Sequence, residues 1–522
     1  MGEEITMTDK EMSIARFKEE FTTFEEASHK YEAQSISAEE YSSVSKGFGQ
    51  YLQRDNQQML RIRILGGRMT MRMVGAILKV CEYYRVEVLK ITAGQALQLH
   101  DLDPHAGRRL ILRLLDKGIV TRGSGGDNPN NVSASALSGV EKGEYFDVQP
   151  YAQAADTYLL KYTGIQPLPR KFKIGFSNSP LNETHATFKD LGFVARPDQT
   201  FDVYAAGGLG INPKLGVKVA EQVKPEEILY HMRTMLDVYM ENGNYENRHK
   251  ARSRFLQDTM GVEGFIRAYQ EHLSEVVEDS DLTIAVLDKE YKKAGEADTQ
   301  VAAEARVIEQ KQEGLYAVSY HPIGGYLSLQ KLHEIYALVN EWEDAEIRLA
   351  NDGGLYVINL TASEAKKVLA ITEDGAIDDI SCSVTCVGRR RCDIGSADSQ
   401  KLLKDCLAAV EKENFSKGTL PVMHISGCIS SCGSQHVGEI GWRGALRKTE
   451  EGTKEAYFFS YGGRERQGEE KLVYAKQVIL AEKIPMFLVE LGRTVEAAGK
   501  TFGEWLEGNE EELNNIVDQY AM

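Results

Sequence analysis

Two stretches of this sequence, residues 60–102 and 321–360, run through the same order of features, and that duplication constrains the fold more than any other property of the chain. LRIRILGG opens the first stretch as a strand-like run. A helix candidate, MTMRMVGAILKVCEYYR, follows it, and then two strand candidates, VEVLKITA and QALQLHDL. HPIGGYLSLQKLHEIYALVNEWEDAEIRLANDGGLYVINL aligns with it without a gap. Gly66-Gly67 falls on Gly324-Gly325, Ile77 on Ile335, Leu89 on Ile347, Lys90 on Arg348 and Leu97 on Leu355. Shared apolar periodicity reproduces part of such a match, but not the Gly-Gly pair or the ungapped length. Two copies separated by a long segment predict a pseudo-two-fold molecule and not a solenoid.

A chain of 522 residues exceeds what one hydrophobic core serves, so several domains are expected. Residues 1–55 read as a polar helical extension, 56–115 as a first ferredoxin-like repeat and 313–375 as the second. Between them, 116–312 reads as an α/β domain with a Gly-rich FDVYAAGGLGINP and a long helical region from about 225 to 275. The charged stretch 288–312 reads as a helix or linker. Residues 376–522 form a second α/β domain. The expected fold class is α/β (α+β), in three pseudo-two-fold domains with the repeats paired in one.

The net charge of −17 argues against a nucleic-acid protein, because phosphate binding needs a basic face. No apolar run approaches the roughly 20 residues that span a bilayer, so no membrane segment is expected. The acidic, polar start lacks the apolar core of a secretory signal. Met1-Gly2 with Thr6 fits a myristoylation pattern, but two glutamates follow directly and chance is the better reading. A cytoplasmic location is expected.

Seven cysteines is an odd number, and Cys81 stands apart from the six between 382 and 432. Clustering of this kind favours metal binding in a reducing compartment over a disulfide framework. SCSVTCVGRRRCDIGSA puts five residues between Cys386 and Cys392, with Gly388 inside. HISGCISSCGSQ puts three between Cys428 and Cys432, flanked by Gly427 and Gly433. Four thiolates on two loops suit a [4Fe–4S] cubane, and small neighbours let backbone N–H groups reach the sulfides. Structural zinc is the alternative, but its cysteine pairs are usually closer in sequence. Cys382 is a spare, Cys406 lies in the helix-like KLLKDCLAAV, and Cys81 falls on the helix pattern of the first repeat and reads as a small core residue.

With these motifs the chain resembles the sirohaem-dependent sulfite/nitrite reductase family over nearly its whole length. The first cysteine motif resembles the family's C-x-G-x-x-x-C and the second its G-C-x-x-S-C-G. The resemblance implies a [4Fe–4S] cluster on Cys386, Cys392, Cys428 and Cys432, with Cys432 also the axial ligand of the sirohaem. LRIRILGG resembles the family's L-R-x-R-x-x-G-G, which places Arg61 on the oxyanion. LPRKFKIG resembles P-R-K-F-K and points Lys171 and Lys173 at the substrate. FDVYAAGGLG resembles the Gly-rich cofactor loop, with Gly207, Gly208 and Gly210. ENRHKARSRF resembles N-R-x-K-A-R, which sets Arg248, Lys250 and Arg252 near the macrocycle. Cofactor contacts are further implied for Arg63, Lys90, Gln95 and Gln98. Sirohaem is a polycarboxylate, so a basic pocket has a physical reason to exist. Without that context, Lys171 and Lys173 read as a solvated strand face, and the 248–252 run as an exposed helix face.

Two family arginines are absent. The family's D-x-x-R-N position is Asn130 here, and its T-x-R-Q position is Gly94. Arg389, Arg390 and Arg391, between the first two cluster cysteines, are candidates for supplying the lost charge. The expected activity is six-electron reduction of sulfite, with Arg61, Lys171 and Lys173 holding its oxygens and the asparagine at 130 beside them. Nitrite reduction is the runner-up. A corrin-pathway oxygenase and a non-catalytic iron–sulfur carrier are the remaining alternatives. GGLG is too short for a dinucleotide fingerprint, so a ferredoxin or flavoprotein must supply the electrons.

Overall fold

The computed structural model describes residues 7–285, 291–475 and 477–522. Four five-stranded sheets organise these residues, and they come as two similar pairs.

The first pair is built by the two repeats. One sheet runs Gln50–Leu52, Gln58–Ile62, Leu97–Leu102, Val88–Ile91 and finally Tyr326–Ser328, a strand of the second repeat. The other runs Val307–Glu309, Tyr316–Tyr320, Leu355–Leu360, Glu346–Leu349 and finally Arg68–Met69, a strand of the first repeat. Each repeat thus completes its neighbour's sheet, with Leu327 opposite Leu89 and Met69 opposite Ile347. The Gly-Gly pairs make this exchange possible. Gly66 (φ 52°) and Gly324 (φ 63°) turn the chain in the left-handed region immediately before the exchanged strand. Thr70 and Ser328 then cap the helices Met71–Tyr84 and Leu329–Val339 by accepting from the backbone N–H groups of Met73 and Lys331. A Cβ on Gly75 would stand 2.6 Å from the Tyr336 hydroxyl, which marks how closely the two helices approach. Ile77, Leu89, Ile335 and Ile347 are fully buried in one core common to both repeats.

The second pair of sheets repeats a different pattern. Pro129–Ala134, Phe172–Ser177 and Leu191–Ala195 are parallel, and Phe201–Ala205 and Val217–Val223 return antiparallel. Val384–Thr385, Met423–Ser426 and Ile440–Thr449 are likewise parallel, and Gly452–Tyr461 and Gln477–Leu480 likewise antiparallel. Each sheet has its own core. The duplication therefore extends beyond the repeats legible in the sequence. It reaches individual loops: Asn182 and His185 have φ of 58° and 52°, and Ser431 and Ser434 repeat them at 56° and 58°.

The N-terminal segment forms helices Met7–Glu32 and Ala38–Ser45, the second opened by a Ser37–Glu40 capping box. The region expected to be continuously helical is broken. Helices Ile228–Asn242 and Gly261–Asp279 are separated by short turns over 248–255, so the basic run at 248–252 is not a helix face. Of the charged stretch 288–312, residues 288–290 lie outside the described residues, and the rest holds a short helix, Thr299–Ala302, and strand Val307–Glu309.

Candidate active site

The parallel strands of both α/β units end at loops that carry the chemistry. In the second unit, Cys386 follows Val384–Thr385 and Cys428 follows Met423–Ser426. The Cys386 sulfur accepts the Gly427 N–H at 3.1 Å and lies 3.2 Å from the Ser399 hydroxyl, at the N-terminus of helix Ser399–Val410. A Cβ on Gly427 would stand 3.4 Å from that sulfur. Gly427 is therefore a cradle that a larger residue would fill. Cys392 is held by its N–H to the Gly388 carbonyl at 3.0 Å, with Gly388 at φ 73°. Burial pushes the Cys392 thiol up to about 12, and Cys432, Cys386 and Cys428 all add to the rise. Cys392 thus lies within electrostatic reach of the other three thiols.

Among the described residues no three Cys, His, Asp or Glu side chains converge as a single metal ion requires. A cubane makes a different demand, one thiolate on each of four irons. Four neighbouring sulfurs, a glycine cradle and N–H groups aimed at sulfur fit that group better than zinc. Cys81 is fully buried in the core of the repeats, as its helix pattern suggests, and Cys406 is fully buried in the core of the second α/β unit.

The first α/β unit supplies cations. Lys171, Lys173 and Gly175 alternate on one face of strand Phe172–Ser177. Burial lowers Lys171 to about 7, reinforced by Lys173 and Arg252, while Cys432 opposes the fall. Burial also lowers Lys173, followed by Arg252, again against Cys432. The two lysines and the fourth cysteine therefore share one site. Neither ammonium has a hydrogen bond or ion pair among the described residues. Lys90, contributed by the first repeat, reaches the Gly324 carbonyl at 2.5 Å and lies over the Tyr326 ring. Burial lowers it to about 8, and Cys386 and Cys432 oppose this. Arg61 donates to the Ser124 carbonyl at 3.1 Å and stacks on Tyr51. With its amide oxygen toward Arg61, Gln98 accepts from Nη2 at 2.8 Å and donates to His100 at 3.2 Å.

Other expected contacts are turned inward. Arg63 donates to the Pro129 and Asn130 carbonyls and pairs with buried Asp156 at 2.5 Å. Gln95 bridges the Ala134 and Leu349 carbonyls at 2.7 and 2.8 Å. The Asn130 amide donates to Gly123 and Asn128 carbonyls at 3.2 and 3.1 Å. These three hold strands together through those contacts. Arg248 is exposed and, with Arg170, pairs with Asp127. Lys250 is exposed. Arg391 pairs with Asp101 at 2.7 Å, Arg389 with Glu455, and Arg390 is exposed. The arginine run thus anchors the cysteine loop to its neighbours.

The basic run at 248–252 has its functional end further along. Arg252 pairs with Asp190 at 2.7 Å, and the Asp190 carboxylate is fully buried. Arg254 is buried, donates to the Ile211 carbonyl at 2.7 Å, and leaves Nη1 without a partner. Gly208 and Gly210 pack on it, since Cβ atoms there would come within 3.0 and 3.1 Å of its guanidinium. Gly210 also reaches the Ser430 carbonyl, next to the cysteine pair. Gly207 donates its N–H to the Lys189 carbonyl at 2.8 Å. Arg254 lies in ENRHKARSRF two residues past the last arginine of the motif, and Lys189 belongs to no motif; its one hint is a basic residue before an apolar strand.

The fold and this site define a class: a redox protein in which two α/β units, joined by exchanged ferredoxin-like halves, bring four thiols against an unpaired cationic pocket. The family model for the nitrite and sulphite reductase 4Fe-4S domain matches residues 125–277. That for the nitrite/sulfite reductase ferredoxin-like half domain matches 51–114 and 308–374. The chain belongs to the nitrite and sulfite reductase family, and membership implies a [4Fe–4S] cluster and a sirohaem. The four cysteines lie outside 125–277, in the unit that the pseudo-two-fold pairs with it. A chloroplastic ferredoxin–nitrite reductase of Zea mays is 25% identical over 447 residues, covering 82% of this chain and 77% of that protein. A sulfite reductase [ferredoxin] of Mycolicibacterium paratuberculosis is 22% identical over 476 residues, covering 87% and 83%. The solved NirA protein of Mycobacterium tuberculosis shares the fold, with a TM-score of 0.75, 21% identity and 92% of each chain covered. No helix among the described residues is long and apolar enough to cross a membrane.

Proposed function

We propose that this chain reduces a small oxyanion, sulfite in preference to nitrite, with Cys386, Cys392, Cys428 and Cys432 holding the cluster and Cys432 facing the sirohaem as well. The observation that carries this reading is the pair of half-buried lysines, Lys171 and Lys173, which alternate on one strand face with no hydrogen bond or ion pair at either ammonium among the described residues. Buried cations without partners are costly unless an anion enters beside them. When bound, the two cofactors supply the electrons and the metal that receives the anion. The residues supply the rest. Lys171 and Lys173 attract and orient the anion's oxygens. With lowered pKa values they also stand ready to release protons as oxygen leaves as water. Arg61, oriented by Gln98 and Tyr51, borders the same pocket. Arg254 and Lys90 suit the carboxylates of a tetrapyrrole.

Two ammoniums suit a doubly charged anion, which favours sulfite. Nitrite is the second reading, because most of the curated relatives are named ferredoxin–nitrite reductases. Those names also support a ferredoxin as donor. The test is kcat/KM for both anions with reduced ferredoxin and with a chemical reductant. A sulfite value above that for nitrite supports the preference, and the reverse order assigns the chain to nitrite.

A further inference from the structure

The resemblance implies two further arginines at the site beyond Arg61, Lys171 and Lys173. Both are missing here: Gly94 has no side chain, and the Asn130 amide is occupied by two backbone carbonyls. A different residue stands at the same face. Lys189 enters strand Leu191–Ala195, which pairs in parallel with the strand carrying Lys171 and Lys173. Its backbone is fixed by the Gly-rich loop through the Gly207 N–H. Its stem lies across Gly175, where a Cβ would stand 3.4 Å from Lys189 Cε. Gly175 shares a face with Lys171 and Lys173, so a stem in that place carries its ammonium to the lysine side.

The neighbouring carboxylate, Asp190, forms no ion pair with it among the described residues and is held by other donors. Asp190 accepts from Arg252 at 2.7 Å, from the Ser253 hydroxyl at 2.5 Å and from the Lys173 N–H at 2.8 Å. Lys189 itself makes no side-chain hydrogen bond or ion pair among the described residues, although only 9% of its surface is exposed. An ammonium so placed is at its most stable with an anion against it.

We propose that Lys189 is a third substrate-binding lysine beside Arg61, which holds an oxygen of the same oxyanion as Lys171 and Lys173 and replaces a charge that the chain lacks at Asn130 and Gly94. The inference rests on the reductase reading. A tetrapyrrole carboxylate would satisfy the same ammonium, and the experiment separates the two. Lys189→Gln and Lys189→Arg are purified as holoenzymes. Iron and tetrapyrrole content, the equilibrium Kd of nitrite and of sulfite from the haem absorption shift, and KM and kcat are then measured. The expected result is full cofactor content in both variants. In Lys189→Gln, Kd and KM rise about tenfold while kcat changes less, and Lys189→Arg restores most of the affinity. Unchanged Kd and KM in fully loaded Lys189→Gln overturn the proposal. So does loss of tetrapyrrole with normal anion affinity in the loaded fraction, which assigns Lys189 to the cofactor. If Lys189→Gln does not fold, a Lys189→Arg protein that binds both anions no better than a Lys189→Met protein overturns it equally. Wild-type protein that carries both cofactors yet reduces neither anion defeats the reductase reading instead, a result distinct from any of these.

Discussion

Glu183 and Cys432 stand at the same place in two copies of one loop. Strands Phe172–Ser177 and Met423–Ser426 lead into the loops. The left-handed residues Asn182 and Ser431 come immediately before the two, and His185 and Ser434 follow. The N–H of His185 then closes on the Asn182 carbonyl at 2.7 Å, and that of Ser434 on the Ser431 carbonyl at 3.2 Å. Cys386 has a counterpart as well. Gln149 donates to the Gly66 and Ser135 carbonyls as Gln400 does to those of Gly324 and Cys386. Ser135 thus answers to Cys386, and the first unit has a serine and a carboxylate where the second has thiols.

That substitution predicts a pH-dependent weakness. Burial, then Glu141, Asp352 and Glu465, raise Glu183 to about 8, and it has no hydrogen bond or ion pair among the described residues. A carboxyl raised from the ordinary range binds its proton more tightly in the folded state. Its contribution is therefore most favourable at acid pH and is lost as pH rises through about 8. Glu183→Gln removes this loss. Its stability should exceed that of the wild type by on the order of 1 kcal/mol or more at pH 9 and match it near pH 4. Urea denaturation at the two pH values decides the matter, and an equal gain at both contradicts the account.

Serine at each of the four cluster cysteines should strip iron and labile sulfide together, whereas Cys406→Ser should keep both. Cys406 is fully buried among Leu402, Leu403 and Val410, so its replacement costs stability of about 1–3 kcal/mol and no metal. For Cys432→Ser the electronic coupling between cluster and haem should vanish as well, which magnetic spectroscopy reads. Normal coupling in Cys432→Ser rules out its double role.

Anion binding should weaken as pH rises through neutrality. Burial, with Lys173 next in both cases, lowers Lys171 and Lys189 to about 7. Only their protonated forms hold an anion, so affinity is greatest below pH 7 and falls above it, by up to about tenfold per pH unit for each lysine. Nitrite is the cleaner probe because its charge is constant over this range. A nitrite Kd that is flat from pH 6 to 9 contradicts the assignment of these lysines to the substrate.

Lys173→Asn should raise KM for sulfite more than for nitrite, since a dianion depends more on a second positive charge. Equal effects on both anions remove the basis for a sulfite preference. Asn130→Arg, by contrast, should not restore a substrate cation. Position 130 is buried beside Arg63, whose guanidinium already holds the Pro129 and Asn130 carbonyls. A second guanidinium there should destabilise the fold by on the order of 2 kcal/mol or more, measured as a fall in the urea midpoint.

The parts of this molecule that depend on residue identity were open to reading. Cysteines in glycine-flanked pairs and an aligned Gly-Gly turn cannot be exchanged for other residues without losing the thiolate or the positive φ. The duplication of the α/β units was closed to it, because its two copies share backbone conformation and not side chains: Asn182 answers to Ser431, and His185 to Ser434. Arg63 and Gln95 matched basic and polar motif positions, yet both face backbone carbonyls, a distinction of rotamer and not of residue type. Lys189 was hidden for the opposite reason. A single lysine before an apolar strand has no pattern of its own, and only the stem lying over Gly175 reveals where its charge goes.

The most direct test of the central claim is chemical analysis of the purified protein for iron, acid-labile sulfide and tetrapyrrole. A reductase built as described holds about five irons, four sulfides and one tetrapyrrole per chain, on four cysteines and a basic pocket. Stoichiometric zinc without sulfide, or a cluster with no tetrapyrrole, would contradict it.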